Sequence, residues 1–278
     1  MVCVINVSAR FMLQLRSKFF FQANFESTKL KIQMNSRMNT GLIFLSLFFF
    51  SFVVLSQDLQ IHYDFRHTVD PKLNPRNFPM ISFQYFKQLD TVGTGSFLFK
   101  VQTFLDGEKN NTNQAFLQVS QSLRFWKPKV YLSLNYSGGL GIAQPSFGYY
   151  LRNSFGAGVA YPFQWKGAWL SAAALYRYNA FQKGSHDPQF IFYFGRGFLN
   201  YKIFVEGSIV AWTENRDQGV DYTKGQTGKK FAFFGDPQIW FNIKKGLAVG
   251  SRISLYYHLL TDKNTIQAYP TIGTRYKF

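Results

Sequence analysis

Apolar and polar residues alternate along most of the chain after Gln57, and this period of two residues predicts β-strands rather than helices. In the segment 59–64, for example, Leu, Ile and Tyr alternate with Gln, His and Asp. The same alternation recurs at 130–136, 203–209 and 249–258. Each of these segments is therefore predicted to form a strand with one apolar face and one polar face.

The alternation marks twelve strands, and their connections fall into two kinds. Short connections alternate along the chain with connections that are mostly longer and richer in Asn, Asp, Gly and Thr. Short turns at one rim and longer loops at the other predict an all-β fold, an antiparallel up-and-down transmembrane β-barrel of the bacterial outer membrane. The predicted strands are 58–66, 78–88, 95–106, 114–125, 130–141, 150–162, 168–179, 188–195, 200–212, 230–243, 247–259 and 266–278.

The chain length agrees with twelve strands. Residues 57 to 278 number 222, which gives 18.5 residues for each strand with its connection, and a strand needs about 9 to 11 residues to cross a bilayer. Eight strands would require long loops that the sequence lacks, and sixteen would leave little room for connections. The alternative is a soluble β-sandwich, which is disfavoured because so extensive an apolar surface would aggregate in water.

An uncharged apolar segment precedes the predicted barrel. Gly41–Leu55 reads GLIFLSLFFFSFVVL, which is shorter than the roughly 18 residues of a membrane-spanning helix but typical of the apolar region of a signal peptide. Arg37 supplies the positive charge expected before it, and small residues favour cleavage before Gln57. The alternative is an uncleaved amino-terminal anchor.

The chain is thus predicted to consist of two parts. Residues 1–56 form the leader, with translation expected to start at Met34 or Met38, and residues 57–278 form the outer-membrane β-barrel. The one cysteine, Cys3, lies in the leader, so disulfides and thiolate metal sites are not expected in the barrel.

Composition narrows the possible functions. Lys and Arg number 31 against 14 Asp and Glu, a net charge of +17, and aromatic residues make up 19% of the chain. A basic excess often indicates nucleic-acid binding, but the aromatic residues share the apolar positions rather than the basic ones, so no nucleic-acid partner is expected. HExxH, GxSxG, Walker and GxGxxG motifs do not occur in the sequence, so no metal site, cofactor or enzymatic activity is predicted. A lipid hydrolase with catalytic residues scattered over its strands remains an alternative.

The ionisable residues at polar positions are predicted to face the interior of the barrel. Cations outnumber carboxylates among them, which predicts a positive interior unless the 213–229 loop folds inward. A passive channel for small polar solutes or small anions would fit such a wall; the alternative is a non-conducting structural or surface-interaction barrel in which these groups pair with one another. The channel-lining candidates are Asp64, Arg66, Lys100, Arg124, Arg152, Arg177, Lys202, Glu206, Arg252, His258 and Arg275.

Two features of the apolar face predict partners. Aromatic residues concentrate near the strand ends, where their rings would contact outer-membrane lipids at the level of the headgroups. The last predicted strand carries apolar residues at alternate positions through Tyr276 and Phe278. This arrangement resembles the signal by which outer-membrane proteins are recognised for insertion, and it predicts the barrel-assembly machinery as a partner.

Four segments resemble an uncharacterised family of Bacteroidota outer-membrane proteins that is itself similar to the nucleoside-specific channel Tsx. These segments are LQIHYDF at 59–65, ISFQYFK at 81–87, FLFKVQTFLDG at 97–107 and YSGGLG at 136–141. The resemblance implies a twelve-stranded monomeric barrel with a narrow channel that admits nucleosides. The shared segments are architectural, so no nucleoside-contacting residue is carried over.

Overall fold

The computed structural model describes residues 56–88, 95–107, 111–143, 147–180 and 182–278. The leader and its predicted cleavage site lie almost entirely outside these residues. No helix among the described residues is long and apolar enough to cross a membrane. The described residues form thirteen strands: β1 (Ser56–Asp64), β2 (Phe78–Gln88), β3 (Gly95–Phe104), β4 (Gln114–Leu123), β5 (Tyr131–Ala143), β6 (Phe147–Trp165), β7 (Ala168–Asn179), β8 (Ser185–Phe198), β9 (Ile203–Asn215), β10 (Lys229–Gly235), β11 (Gln238–Lys244), β12 (Leu247–Tyr257) and β13 (Gln267–Lys277).

All thirteen strands form one antiparallel sheet that closes on itself. β1 pairs with β2 on one side and with β13 on the other, where Asp58 lies opposite Lys277 and Asp64 lies opposite Thr271. β10 and β11 both lie between β9 and β12. They therefore share one position, and the closed barrel has the twelve positions predicted from the sequence.

The tenth position was predicted as one strand, 230–243, whereas the structure divides it at Asp236 and Pro237. Proline has no backbone N–H and cannot donate to a neighbouring strand. The surrounding backbone compensates, since Asp236 N–H donates to the Ser208 carbonyl (3.0 Å) and the Pro237 carbonyl accepts the Ile253 N–H (2.9 Å). The break thus interrupts the strand without opening the wall.

The two ends of the barrel differ in their connections, and we name them accordingly. The tight-turn rim carries the first residues of β1 and β3, the last residues of β2 and β13, and the connections 124–130, 166–167, 199–202 and 245–246. The loop rim carries the last residue of β5, the first residue of β6, the connections 65–77, 216–228 and 258–266, and the described residues 105–107, 111–113, 180 and 182–184. The 65–77 loop includes a short helix, α1 (Arg66–Val69).

Side chains alternate between the outside and the inside of the barrel. Apolar residues of the outward face are exposed, such as Phe155 (51%), Phe190 (59%) and Ile272 (60%), whereas inward His62 and Asp64 are each 1% exposed. Only a bilayer provides an apolar surrounding for such an exterior, and a closed barrel leaves no strand edge unpaired in it. The protein is an outer-membrane β-barrel.

Candidate functional site

A cavity of about 500 Å³ occupies the half of the lumen nearer the tight-turn rim. Its lining extends to residues at that rim, including Gly95 and Trp169. Most of the polar groups around it are uncharged amides and hydroxyls on inward positions of several strands. These are Gln60, Gln84, Ser96, Gln118, Ser120, Ser122, Tyr131, Ser133, Asn135, Ser171, Tyr193, Ser208 and Gln238.

One ion pair spans the lumen beside the cavity. Lys100 on β3 places its Nζ 3.1 Å from an Asp236 carboxylate oxygen at the break between β10 and β11. The second Asp236 oxygen accepts the Ser208 backbone N–H (2.8 Å) and the Ser208 hydroxyl (2.6 Å). Four strand positions separate β3 from the break on the shorter way round the barrel, so this pair connects two distant parts of the wall.

The other charged groups of the cavity are Glu206, Asp58 and Lys277, and of these Glu206 alone takes part in an ion pair among the described residues. Glu206 forms an ion pair with Arg275, whose guanidinium lies 4.5 Å from the centre of the Trp240 ring. Gln118 on β4 donates to the Tyr193 hydroxyl on β8 (3.2 Å). The cavity is therefore bounded by cross-lumen contacts as well as by the barrel wall.

Beyond the cavity, toward the loop rim, inward side chains fill the lumen. We name this group the lumenal plug; its members are each at most 1% exposed and are Met80, Arg177, Trp212, Arg252, Ser254 and Tyr269. The Trp212 indole N–H donates to Glu214 (2.9 Å). The guanidinium carbons of Arg152 and Arg177 lie 4.2 and 5.4 Å from the centre of the Trp212 ring.

Two further contacts tie the plug together. Arg252 Nη2 donates to the Ser254 hydroxyl (3.3 Å) and contacts the Met80 sulfur (3.7 Å). Arg252 and Met80 lie on β12 and β2, so this contact bridges the two intervening strands, β1 and β13. The plug leaves the loop-rim half of the lumen filled with side chains.

Two of the predicted interior residues form a pair at the loop rim. Arg66 donates from its Nη2 to Asp64 (2.8 Å), and the Arg66 backbone N–H donates to the same carboxylate (2.9 Å). The guanidinium carbon also lies 4.6 Å from the Phe78 ring centre and 5.3 Å from that of Tyr269. The sequence placed Arg66 at the end of a strand, but β1 ends at Asp64 and Arg66 begins α1.

Three predicted channel-lining residues lie outside the strands. Lys202 is exposed in the 199–202 turn because β9 begins only at Ile203. Arg124 follows the end of β4 at the tight-turn rim, with its guanidinium carbon 5.3 Å from the Tyr131 ring centre. His258 follows β12 with a φ of 54° at the loop rim, where its ring contacts the Phe231 carbonyl (2.8 Å).

Four interior carboxylates, Asp58, Asp187, Glu214 and Asp236, are absent from the channel-lining candidates, and of these Glu214 was considered only as part of the 213–229 loop. Asp187 and Glu214 fell just beyond predicted strand ends, while Asp58 and Asp236 lay inside predicted strands at positions whose parity could have revealed them. With Asp64 and Glu206 they make six carboxylates near six of the predicted cations. These six cations are Arg66, Lys100, Arg152, Arg177, Arg252 and Arg275.

The described residues offer few groups for metal or acid–base chemistry. Within the described ranges, no group of three or more His, Cys, Asp or Glu could hold a metal ion. Buried His62 contacts the Thr271 hydroxyl (2.9 Å) and the Gln60 amide oxygen (3.1 Å), and its ring lies edge-on to Trp240 at 5.5 Å. Both ring nitrogens of His62 are therefore engaged by neighbouring polar side chains.

The model of one protein family, a domain of unknown function named DUF5020, matches residues 56–278. The chain belongs to the DUF5020 family. The match begins with β1 and covers the whole barrel. No curated protein sequence matches this DUF5020 chain significantly.

Several solved structures are similar to this DUF5020 barrel at low identity. LpxR from Salmonella typhimurium has a TM-score of 0.44 and 9% identity, over 80% of this chain and 100% of LpxR. The translocator domain of the autotransporter NalP from Neisseria meningitidis has a TM-score of 0.38 and 10% identity, over 87% and 96% of the two chains. An anion-selective porin from Comamonas acidovorans has a TM-score of 0.36 and 8% identity, over 81% and 98%.

Proposed function

We propose that this protein is a narrow outer-membrane channel for small uncharged polar solutes, with nucleosides as the favoured class. The cavity beside the Lys100–Asp236 pair carries the proposal. Its volume of about 500 Å³ falls within the range of roughly 300 to 1,000 Å³ that is usual for small-molecule sites. In this proposal the barrel admits solutes and performs no chemical step.

The lining of the cavity suits a planar base attached to a sugar. Amides such as Gln118 and Asn135 and hydroxyls such as Ser133 supply both donors and acceptors of hydrogen bonds. The rings of Tyr131 and Tyr193 add flat surfaces against which a base can stack.

The pairing of charges favours neutral solutes over ions. An anion that entered the cavity would have to compete with Asp236 for Lys100, and a cation would have to compete with Lys100 for Asp236. Arg275 is likewise engaged by Glu206. Selectivity for small anions, which the excess of basic residues suggested, is therefore the less favoured form of the proposal.

The lumenal plug favours a second candidate, a non-conducting barrel with a structural or surface-interaction role. Arg177, Trp212 and Arg252 are each 1% exposed, so a solute can pass beyond the cavity only if plug side chains move. The channel proposal therefore includes a closed resting state. In the second candidate the plug stays closed and the cavity is a blind end.

A solute-flux experiment with a matched pair of variants tests both candidates. Ser133 lies at the cavity and is 4% exposed, while the adjacent Leu134 faces lipid and is 43% exposed. Ser133→Trp fills part of the cavity, and Leu134→Trp places the same side chain on the outside of the same strand. Release of labelled uridine from liposomes and conductance across planar bilayers are measured for both variants and the unchanged protein.

The channel proposal expects uridine release from the unchanged protein and from Leu134→Trp, and strongly reduced release from Ser133→Trp. Equal release from both variants would show that the cavity is not the path. Neither uridine release nor conductance from any of the three proteins would favour the non-conducting barrel. Conductance without uridine release would retain a channel and exclude uridine as its solute.

A further inference from the structure

The tight-turn rim carries a ring of exposed cations, which we name the basic ring. Among the described residues of this rim, no exposed Asp or Glu side chain accompanies them, and Asp58 and Glu206 lie in the lumen instead. None of the cations forms an ion pair with a described residue. The basic ring consists of Lys127, Lys129, Lys166, Arg196, Lys202, Lys244 and Lys245.

The loop rim differs because its charges are mixed. Lys183 lies 2.8 Å from Asp217, and its hydrogen bond, together with that of the Gly219 backbone, lowers the pKa of Asp217. Lys230 lies 3.5 Å from Glu214 and 3.6 Å from Asp262. The excess positive charge is therefore concentrated on the tight-turn side.

Exposed aromatic rings accompany the basic ring. Lys166 Nζ lies 5.3 Å from the centre of the Trp165 ring, and the Arg196 guanidinium carbon lies 4.8 Å from that of Phe198. Trp165 is 62% exposed and Phe198 is 40% exposed. Aromatic rings of this kind lie at the interface between hydrocarbon and headgroups, which brings the neighbouring cations to the depth of the lipid phosphates.

We propose that the basic ring binds the phosphate groups of anionic phospholipids in the leaflet around the tight-turn rim. In outer-membrane barrels the short turns face the periplasm, so this is the periplasmic leaflet. Charge complementarity favours anionic over zwitterionic headgroups, because each unpaired Lys or Arg near the surface attracts negative lipid. The flexible side chains can extend from the apolar wall to reach the phosphates.

Tryptophan fluorescence can report on this rim in the full protein. Trp126 and Trp165 are exposed at the tight-turn rim, whereas Trp212 and Trp240 are at most 1% exposed in the lumen. Lipids brominated near the headgroup quench the rings that they contact. The barrel is reconstituted in mixed vesicles in which either phosphatidylglycerol or phosphatidylcholine is the brominated species, and the two degrees of quenching give the relative affinity.

Two triple variants with equal charge change are compared. Lys202→Gln, Lys244→Gln and Lys245→Gln remove charges from the basic ring. Lys72→Gln, Lys224→Gln and Lys263→Gln remove the same charge from exposed positions on the loop rim.

The unchanged protein is expected to prefer phosphatidylglycerol, and the basic-ring variant to lose at least about half of this preference. The loop-rim variant should keep it, and 1 M salt should weaken it in the unchanged protein. If both variants lose the preference equally, the preference depends on net charge alone, and the proposal is overturned. If the unchanged protein shows no preference for phosphatidylglycerol, the proposal is also overturned, and the basic ring would need a different anionic partner.

Discussion

The Asp236 carboxylate is the best-bonded acidic group beside the cavity. It is 2% exposed and accepts hydrogen bonds from Lys100 Nζ and from two groups of Ser208. A buried carboxylate with a paired cation and further donors is stabilised, and its removal leaves the cation without compensation. Asp236 therefore holds the Lys100 side chain against the wall at the break between β10 and β11.

Asp236→Asn is expected to destabilise the folded barrel by about 1 to 3 kcal/mol, because it leaves the largely buried Lys100 ammonium unpaired. The double variant with Lys100→Gln should be less destabilised than the sum of the two single variants, since neither charge then lacks its partner. These differences are measured by urea unfolding of the barrel in vesicles, with the heat-modifiable electrophoretic mobility as the readout of the folded fraction. Strict additivity would show that the pair contributes no coupling energy.

The inward or outward direction of a residue within a strand was predictable from the sequence, but its interaction partner was not. Alternation assigned Lys100 to the interior, and the structure places it there. Its partner Asp236 is 136 positions away in the sequence, and no local pattern relates the two. The interior holds more carboxylates than the channel-lining candidates included, because those at strand ends and at the break were not recognised.

The hairpin between β6 and β7 shows how one element depends on backbone conformation. Trp165 pairs with Ala168, so only Lys166 and Gly167 form the turn. Their φ values are 48° and 76°, and positive φ at both central residues is the two-residue turn that matches the twist of the flanking strands. Glycine adopts this conformation without the steric cost that a Cβ atom imposes.

Gly167→Ala is expected to cost about 1 kcal/mol of folding stability. Gly148→Ala is the matched control, because an added Cβ meets no atom within 4 Å at either position, and Gly148 lies in β6 without a positive φ. The two variants are compared by urea unfolding in the same vesicles. Equal stabilities would mean that the turn conformation imposes no cost.

The elements were predictable where alternation has clear ends. β2 and β7 have the predicted bounds 78–88 and 168–179. The break in the tenth position was not recognised, because outward residues continue with the same parity on both sides of it, from Phe231 in β10 to Ile239 in β11. A break that removes hydrogen bonds but preserves alternation leaves no signal in the hydrophobic pattern.

The two halves of the lumen differ in their access to water, and this difference does not depend on whether the barrel conducts. The cavity reaches the tight-turn rim, while the lumenal plug fills the other half. Reagents dissolved in water should therefore enter the barrel from one side only. No periodicity of the sequence distinguishes these halves, because inward residues in both have the same parity.

Cysteine labelling measures this difference in a Cys3→Ser background, in which no other cysteine remains. Ser171→Cys places a thiol at the cavity, where Ser171 is partly exposed, and Ser254→Cys places one in the plug, where Ser254 is 1% exposed. A small charged thiol reagent should modify the first thiol rapidly and the second slowly in the folded barrel. Similar rates at both positions would show that the plug does not exclude water.

The pairing of β1 with β13 has a consequence for how the barrel is made. Hydrogen-bonded partners across this seam, such as His62 and Thr271, are 209 positions apart in the chain, whereas every other wall joint forms between strands that are close in sequence. The contact order is thus low around most of the circumference and very high at one joint. Until that joint forms, two strand edges would face hydrocarbon with unsatisfied peptide groups, so closure of the seam and entry into the bilayer must be energetically coupled.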